Sequence, residues 1–340
     1  MDALPPGFSA RPVDPATDVP AIFELCTAAS IHDRGVPDVT ERMVREAYSL
    51  PSFVADTDSQ LVLDDAGRAI AVTEYYDGEE LHVAPYLFLR SLPEHRQPAL
   101  FAPLLAWAAE RAERNLHLAP EGARVALHTD LASGDHATIA ALEAAGWHQD
   151  RTDWTMEIDL AEARPLPEPA WPEGISVRSA DLERDARAIH AAEMDFFSDH
   201  YGFTPNPFDE WWHFRTRFFE PEPELWILAM DGNEIAGMAL CASQRAGQPD
   251  LGWVSTLGVR RDWRRRGLAL AILHHAFRLL DERGKQRVGL GVDAQSLTGA
   301  TRLYEKAGMH VVRETYEYEL VVRDGRDLRT VTLEEPATAS

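Results

Sequence analysis

Five arginines lie within seven residues and are followed directly by Gly267-Leu268-Ala269; they are Arg260, Arg261, Arg264, Arg265 and Arg266. The rest of the chain is strongly acidic, with 33 Lys+Arg against 56 Asp+Glu and a formal net charge of −23. Arginine pairs with oxyanions through parallel hydrogen bonds. This concentration of guanidinium groups in an acidic chain therefore predicts a site for an anion.

The segments on either side of this arginine-rich turn (residues 260–267) predict a strand before it and a helix after it. Leu251–Val259 is a β-rich apolar run of strand length. Leu268–Glu282 places apolar side chains at helical spacing, and Gly284 supplies a stop. The first turn of a helix has free N–H groups and the positive end of the dipole, which predicts a phosphate site. A P-loop and a dinucleotide fingerprint are excluded, because the turn contains a single glycine and no Gly-Lys-Ser/Thr.

Two motifs in this part of the chain resemble those of the GNAT superfamily of acetyltransferases. Residues 264–269 fit its Arg/Gln-x-x-Gly-x-Gly/Ala signature. Further on, Ala300, Tyr304 and Gly308 fall at the spacings of its Asn-x-x-Ala-x-x-x-Tyr-x-x-x-Gly-Phe motif. Ser296 stands in the region where the family usually has Asn, and Met309 replaces Phe. The resemblance covers about residues 174–320.

This resemblance implies an acetyl-CoA-dependent N-acetyltransferase that transfers an acetyl group to a primary amine by direct attack on the thioester. In the family, two parallel strands splay apart and the pantetheine arm fills the gap. Leu251–Val259 corresponds to the first of these strands, and Tyr304 to the general acid that protonates the leaving thiolate. The implied co-substrate-binding residues are Leu257, Gly258, Val259, Arg264, Arg265, Arg266, Gly267, Leu268, Ala269 and Ser296.

The general base is where the sequence departs from the family. Many members carry a Glu on the first central strand, and Trp253 occupies that position here. A mechanism without a dedicated base stays open. The candidate bases are Asp250 and Glu193, with Asp195, Asp199 and His200 as alternatives.

Residues 194–214 combine aromatic and acidic side chains and correspond to the part of the family fold that usually recognises the acceptor. This composition suits a small-molecule amine with an apolar or ring-bearing body. Two alternatives stay open: acetylation of a protein lysine or N-terminus, and a non-catalytic CoA-binding regulatory module. The predicted acceptor-binding residues are Asp199, His200, Tyr201 and Trp253.

A proline-rich stretch at residues 161–174 separates two halves that begin alike. In each half, a short strand, a helix and a hairpin follow one another in the same order. We therefore predict an α/β (α+β) protein of two tandem GNAT folds, each a mixed, mostly antiparallel central sheet flanked by helices. The predicted parts are residues 1–160, a linker 161–174, a catalytic half 175–325 and a tail 326–340. This tandem plan resembles the architecture of the mycothiol synthases, which leaves the acceptor open.

The two halves are not equivalent. Where the second half has the arginine-rich turn, the first has residues 89–99, which contain no glycine. Pro98 in this stretch removes a backbone N–H donor, and Leu142 occupies the position of Tyr304. We predict that the first half has no catalytic activity and covers the acceptor cleft or acts as a scaffold.

Composition argues against several other classes of protein. There is no run of 18 apolar residues and no signal-peptide pattern at the start, so we expect a cytoplasmic protein with no membrane partner. Cys26 and Cys241 make no disulfide framework, and no Cys/His cluster has zinc-site spacing, so we predict no metal. The negative net charge argues against nucleic acid as a partner. We expect a monomer or a homodimer.

Overall fold

The computed structural model describes residues 4–331, which form one 12-stranded mixed sheet with helices packed against it. The strands of the first half are β1 (Phe8–Arg11), β2 (Ser59–Asp64), β3 (Ala69–Tyr76), β4 (Tyr86–Ser91), β5 (Val125–Ala132) and β6 (His148–Asp159). Those of the second half are β7 (Ile175–Ser179), β8 (Trp226–Asp231), β9 (Glu234–Ala242), β10 (Leu251–Val259), β11 (Arg287–Asp293) and β12 (His310–Arg323). The strand and the helix predicted on either side of the arginine-rich turn have the predicted bounds.

Within residues 4–331, five helices lie in the first half and four in the second. They are α1 (Val19–Arg34), α2 (Glu41–Ala47), α3 (Ala55–Asp58), α4 (Pro98–Asn115), α5 (His136–Ala144), α6 (Leu182–Phe197), α7 (Phe208–His213), α8 (Leu268–Glu282) and α9 (Ala300–Lys306). Short 3₁₀ turns occur at residues 93–95, 223–225 and 261–263, and a π turn follows α7 at residues 214–218. Within residues 4–331, no helix combines the length and the apolar character needed to cross a membrane.

The order of the strands shows that each half borrows the last strand of the other. That order is β1-β2-β3-β4-β5-β12-β6-β11-β10-β9-β8-β7. Thus β12, from the second half, pairs with β5, while β6, from the first half, pairs with β11. At the centre of the sheet β6 and β12 pair with each other in antiparallel fashion. The sequence-based division at residues 161–174 did not foresee this exchange, which leaves neither half with a sheet made from its own chain alone.

Each half contains one parallel pair of strands that separates along its length. In the second half β10 and β11 are paired over residues 251–254 and 287–290, after which their ends diverge. A register shift between Val254 and Thr256 marks a bulge, which bends β10 at the point of divergence. In the first half the register of β4 with β5 is limited to Tyr86 opposite His128. A ligand that lies between strands would need such a wedge to be open.

Helix α8 lies unusually close to the sheet, and this fixes the position of the arginine-rich turn at its start. Two glycines of the strands make room: a Cβ on Gly237 would lie 2.8 Å from the Ile272 side chain, and one on Gly252 would lie 2.9 Å from Leu280. Ile272 and Leu280 are fully buried, and burial of such a side chain contributes about 1.5–3 kcal/mol. The start of α8 is therefore held rigidly above the wedge between β10 and β11.

The segments outside the sheet also tie the halves together. Residues 161–174 have no regular structure and lie on α8, where Arg164 binds Asp281 at 2.6 Å. The predicted tail is in part built into the fold: Arg326 pairs with residues 122–124, and the Thr330 hydroxyl donates to the Ser198 carbonyl at 2.9 Å. Residues 332–340 lie outside the described part of the chain.

Candidate active site

A cavity of about 680 Å³ opens where β10 and β11 separate, and both halves line it. Of the residues predicted to bind the co-substrate, Leu257 and Ser296 reach this lining, together with the predicted acid Tyr304. Of the predicted acceptor-binding residues, His200, Tyr201 and Trp253 reach it. The first half contributes Tyr86, His128 and Asp130 through β4 and β5; the sequence predicted that this half covers the cleft or acts as a scaffold, but it did not identify these residues.

Three of the five arginines in the turn are engaged by carboxylates of the protein. Arg260 pairs with Asp231 and Glu234, while Arg261 and Arg264 both pair with Asp199. Arg264 also donates to the backbone carbonyls of Val259 at 3.1 Å and Phe196 at 3.2 Å. The side chain of Arg264 therefore fastens the turn to β10 and α6, and we no longer expect it to contact phosphate.

The same ion pairs change the interpretation of Asp199. Hydrogen bonds from Arg261, and then from Arg264, hold the pKa of this carboxyl below its ordinary value, in spite of partial burial. Asp199 does not line the cavity. The structure therefore does not bring it to the acceptor, because two arginines already use its carboxylate.

The backbone of the turn has the conformation of an anion site. Arg265 and Gly267 have φ values of 61° and 84°, in the left-handed region. The first hydrogen bond of α8 runs from the Ala271 N–H to the Gly267 carbonyl at 3.0 Å. The N–H groups of residues 265–270, which precede this first hydrogen bond, donate to no acceptor within residues 4–331. Successive free N–H groups at a helix start, beside a left-handed residue, form a concave site for an anion.

The remaining residues of the predicted co-substrate set contribute through their backbone or through packing. The Leu268 side chain is buried in the core, as is most of the apolar face of α8. Gly258 is needed by α6, because a Cβ there would lie 2.9 Å from the Phe196 ring. Arg266 stacks over the Trp263 ring, with its guanidinium carbon 4.8 Å from the ring centre.

The free edge of β10 is formed by Leu257 and Val259. The Arg260 N–H donates to the Ala236 carbonyl of β9 at 2.9 Å. Because hydrogen-bonded and non-hydrogen-bonded positions alternate in an antiparallel pair, Gly258 also faces β9, and Leu257 and Val259 face the wedge. Their peptide groups are thus directed to where an extended ligand could pair with β10.

Tyr304 projects from α9 into the same cavity. It is 7% exposed, and burial raises the pKa of its phenol to about 12. Its hydroxyl has no hydrogen-bond partner in the described part of the chain and is available to a ligand. Ser296 lies nearby at the start of the same loop and helix, where its Oγ accepts from the Ala300 N–H at 3.4 Å.

Neither of the two predicted bases reaches the cavity. Asp250 is exposed at the start of β10, at the opposite end of the strand from Val259. Glu193 accepts a hydrogen bond from Trp211 Nε1 at 3.0 Å and pairs with Arg215. Its carboxylate therefore joins α6 to α7 and to the turn that follows it. The alternative Asp195 is exposed on α6. The structure therefore gives no support to these three acids as bases.

A pair of carboxyl groups that sequence reasoning missed lies in the cavity instead. Asp153 on β6 and Glu317 on β12 line it and are hydrogen-bonded to each other. Burial raises the pKa of both groups; Asp153 raises that of Glu317 further, to about 9, whereas the hydrogen bond with Glu317 opposes the rise at Asp153. Two carboxyls this close share a proton and titrate as a unit. The signal in the sequence was the presence of acids within β-rich segments, but their meeting depends on the strand exchange.

The other predicted acceptor-binding residues, His200, Tyr201 and Trp253, line the same cavity as this carboxyl pair. The His200 ring packs edge-on to Phe197, with centroids 4.4 Å apart, and burial with the nearby Arg264 lowers its pKa. The Tyr201 hydroxyl donates to Asp150 at 3.0 Å. Because its pKa is lowered, His200 is neutral at pH 7. Asp150 and Asp153 make the wall on this side of the cavity acidic.

Three potential metal ligands converge near the same wall. His128, Asp150 and Glu319 offer ligand atoms within 4.8 Å of one another. Arg329 lies 3.0 Å from the His128 Nε2 atom, and Arg124 pairs with Glu319. These guanidinium groups thus already contact two of the three side chains.

The corresponding wedge of the first half is filled by the protein itself. The space left between β4 and β5 on that side is about 10 Å³. Arg96 occupies the rest of the wedge, with hydrogen bonds of 2.6 and 2.7 Å to Asp33 and an ion pair of 3.0 Å with Asp135. Its side chain is 6% exposed. An internal ion pair thus occupies the place that the anion site holds in the second half.

Comparison with known proteins agrees with this geometry. Residues 186–309 match the acetyltransferase (GNAT) family. The chain is 32% identical in sequence to a GCN5-related N-acetyltransferase from Sphaerobacter thermophilus, whose structure superimposes with a TM-score of 0.75 over 97% of this chain and 100% of that one. A tandem GNAT protein from the clavulanic acid biosynthesis pathway shares the fold, with a TM-score of 0.67, 17% identity and coverage of 94% of this chain and 99% of that one.

Curated relatives point in the same direction. A mycothiol acetyltransferase of Salinispora arenicola is 33% identical over 186 residues, which are 52% of this chain and 58% of that protein. The match thus spans little more than half the length of this relative. The chain belongs to the GNAT family of acetyltransferases, and the predicted tandem GNAT fold is confirmed.

Proposed function

We propose that the chain is an acetyl-CoA-dependent N-acetyltransferase that acetylates a primary amine of a small molecule, with the second half as the catalytic one. The observation that carries this proposal is the position of the Tyr304 hydroxyl. It stands without a protein partner in a cavity that opens at the free edge of β10, below the anion site of the arginine-rich turn. A module that merely bound CoA would have no use for a buried phenol at this point.

The residues present fit acetyl-CoA. The free N–H groups of residues 265–270 suit its pyrophosphate, and the peptide groups of Leu257 and Val259 suit an extended pantetheine arm. When bound, acetyl-CoA supplies a thioester whose carbonyl carbon is open to attack by an amine. The Val259 N–H, which faces the wedge, would donate to the carbonyl oxygen as charge develops on it.

Proton transfer is assigned to groups on two sides of the cavity. Burial keeps Tyr304 protonated, so that it can donate to the departing thiolate. The Asp153–Glu317 pair shares one proton and so keeps one negative charge at pH 7, and burial raises the pKa of Asp153, which makes the pair a stronger base for a proton of the amine. This pair replaces the family Glu whose position is held by Trp253.

The walls of the cavity favour a small cationic acceptor. Five acidic side chains line it, and with one proton shared between Asp153 and Glu317 they still carry a net negative charge that attracts an ammonium group; they are Asp130, Asp150, Asp153, Asp293 and Glu317. Its walls come from both halves, so a compact molecule fits better than a segment of another protein. The likeness to mycothiol acetyltransferases supports a small-molecule acceptor.

The first half, in this proposal, has no catalytic centre of its own. Arg96 fills the wedge that would have to open for CoA. The first half contributes to function through the wall formed by Tyr86, His128 and Asp130.

The experiment is release of CoA from acetyl-CoA, measured with and without a panel of small amines. An amine that is a substrate accelerates release, and Tyr304→Phe lowers kcat by about 100-fold, since general acid catalysis contributes about that much or more. Tyr75→Phe is the matched control, because Tyr75 is a buried tyrosine of the first half bonded to Asp77 at 3.1 Å. No acceleration by any amine of a broad panel would leave CoA binding without catalysis as the function. Equal rates for the Tyr304 variant and wild type would remove the assigned acid.

A further inference from the structure

We propose that the acceptor carries, besides its amine, an oxyanion that binds Arg245. The inference rests on the proposed function and specifies its acceptor: a small molecule with an ammonium group at one end and a carboxylate, phosphate or sulfate at the other. It follows from the position of Arg245, from its lack of an ionic partner, and from the distribution of charge in the cavity.

Arg245 is held in place by its own loop, between β9 and β10. Its N–H donates to the Leu251 carbonyl at 3.1 Å, and its carbonyl accepts from Gln248 at 2.9 Å. The loop also packs against the first half, since a Cβ on Gly247 would lie 2.8 Å from the Pro37 ring. The backbone that carries Arg245 is therefore fixed by both halves of the molecule.

The guanidinium group is fixed as well. Its central carbon lies 3.7 Å from the centre of the Trp253 ring. The ring in turn lies on the backbone of β11, where a Cβ on Gly289 would come within 2.8 Å of it. Gly289, Trp253 and Arg245 thus form a three-layer stack, and a cation over an aromatic face is stabilised there. The residue that replaces the family Glu serves as the platform for a positive charge.

Arg245 lacks the ionic partner that the other arginines of the cavity have. Arg34 lies 3.4 Å from both Asp38 and Asp130, and Arg329 lies 2.8 Å from Asp327. Among residues 4–331, Arg245 has neither an ion pair nor a side-chain hydrogen bond, although it lines the cavity. Arg245 is partly buried, and a guanidinium that has lost part of its water without gaining an anionic partner is available to an anion of a ligand.

The surrounding charges favour an anion at this point. Nearby carboxylates are already in use: Asp38 pairs with Arg34, and Glu157 pairs with Arg287. Burial, and then the nearby Arg34 and Arg313, lowers the pKa of Arg245 to about 10, so that it still carries its charge at pH 7. An incoming oxyanion would relieve the mutual repulsion of these arginines.

The cavity therefore has two chemically different walls. The Asp153–Glu317 pair, which keeps one negative charge, makes one wall suited to an ammonium, and Arg245 on Trp253 makes another suited to an oxyanion. A molecule that satisfies both is oriented by two charges, which places its amine without any need for a large contact surface.

The test compares amines that differ in an anionic group at the far end. Butylamine, 4-aminobutyrate, 3-aminopropyl phosphate and 3-aminopropanesulfonate are assayed with wild type and with Arg245→Gln. We expect kcat/KM for at least one anionic amine to exceed that for butylamine by about tenfold or more, and Arg245→Gln to abolish this preference. Which amine is preferred identifies the oxyanion. Arg283→Gln is the matched control, since Arg283 is partly exposed and its ion pairs are 3.9 Å long.

Two further measurements keep the outcome clear. Titration of each anionic amine into the protein tests the Arg245 contact without turnover, and Arg245→Lys, which keeps the charge, should retain part of the binding. Unchanged affinity for acetyl-CoA shows that the glutamine variant is folded. The inference is overturned if butylamine is used as well as the anionic amines, or if Arg245→Gln affects all of them equally. Binding of an anionic amine through Arg245 with no turnover of any amine would refute the proposed function and leave this site standing.

Discussion

Replacement of Gly267 by alanine should separate the two tasks of the arginine-rich turn, which are to begin α8 and to bind an anion. Gly267 has a φ of 84°, and nothing lies within 4 Å of the position that a Cβ would take. The cost is therefore conformational, about 1 kcal/mol for an L-residue in the left-handed region. Gly284, just beyond the other end of α8, offers a matched control, because its φ is 74° and its Cβ position is equally open.

Both variants should lose about 1 kcal/mol of the free energy of unfolding, measured by urea denaturation. They should differ in affinity for CoA. Part of the strain at position 267 is relieved by movement of the adjacent N–H groups, and loss of one charged hydrogen bond to phosphate costs about 1.5–3 kcal/mol. We therefore expect the Kd for CoA, measured by calorimetry, to rise about tenfold or more in Gly267→Ala and to stay unchanged in Gly284→Ala. Equal CoA affinity in the two variants would refute the assignment of the turn as the anion site.

Two further predictions concern buried charges. The pKa of Glu317 is raised in the folded protein, so the folded state loses stability as the pH rises from about 5 to about 9. Glu317→Gln, which keeps a hydrogen bond to Asp153, should gain stability relative to wild type over that range; a urea midpoint difference that shrinks with pH would contradict this. Arg96→Met should cost about 3 kcal/mol or more, because it leaves Asp33 and Asp135 buried without a cation, while the Kd for CoA stays unchanged. A loss below about 1 kcal/mol in denaturation would show that the ion pair does not hold the first wedge closed.

The features predicted correctly from the sequence are those that depend on neighbouring residues. The strand Leu251–Val259 and the helix Leu268–Glu282 have the predicted bounds. Strand propensity, helical spacing and the need for a left-handed glycine all depend on residues close together in the sequence. The helix that carries Tyr304 is shorter than the motif matched there, and it begins at Ala300 after a left-handed Gly299.

The acids were assigned less well, for a reason that lies in how charges pair. Asp199 and Glu193 are acids of the kind expected in an acceptor site. However, Asp199 is paired with two arginines of the turn, and Glu193 is paired with Arg215. An acid beside aromatics looks the same in sequence whether it faces a ligand or a guanidinium. Asp153 and Glu317 escaped notice because they meet across two strands from different halves, and such a register is not encoded locally.

The exchange of terminal strands also limits how the molecule can move. The Pro-rich segment between the halves has the composition of a linker, but the sheet runs without interruption from β5 through β12 and β6 to β11. A hinge between the halves would have to break the ladder between β6 and β12, where each backbone hydrogen bond contributes about 1 kcal/mol net. The distance across the cavity, from Asp130 on β5 to Trp253 on β10, is thus set by the sheet itself. Entry of the acceptor then depends on the loops around the mouth of the cavity, and the walls that select it stay where they are.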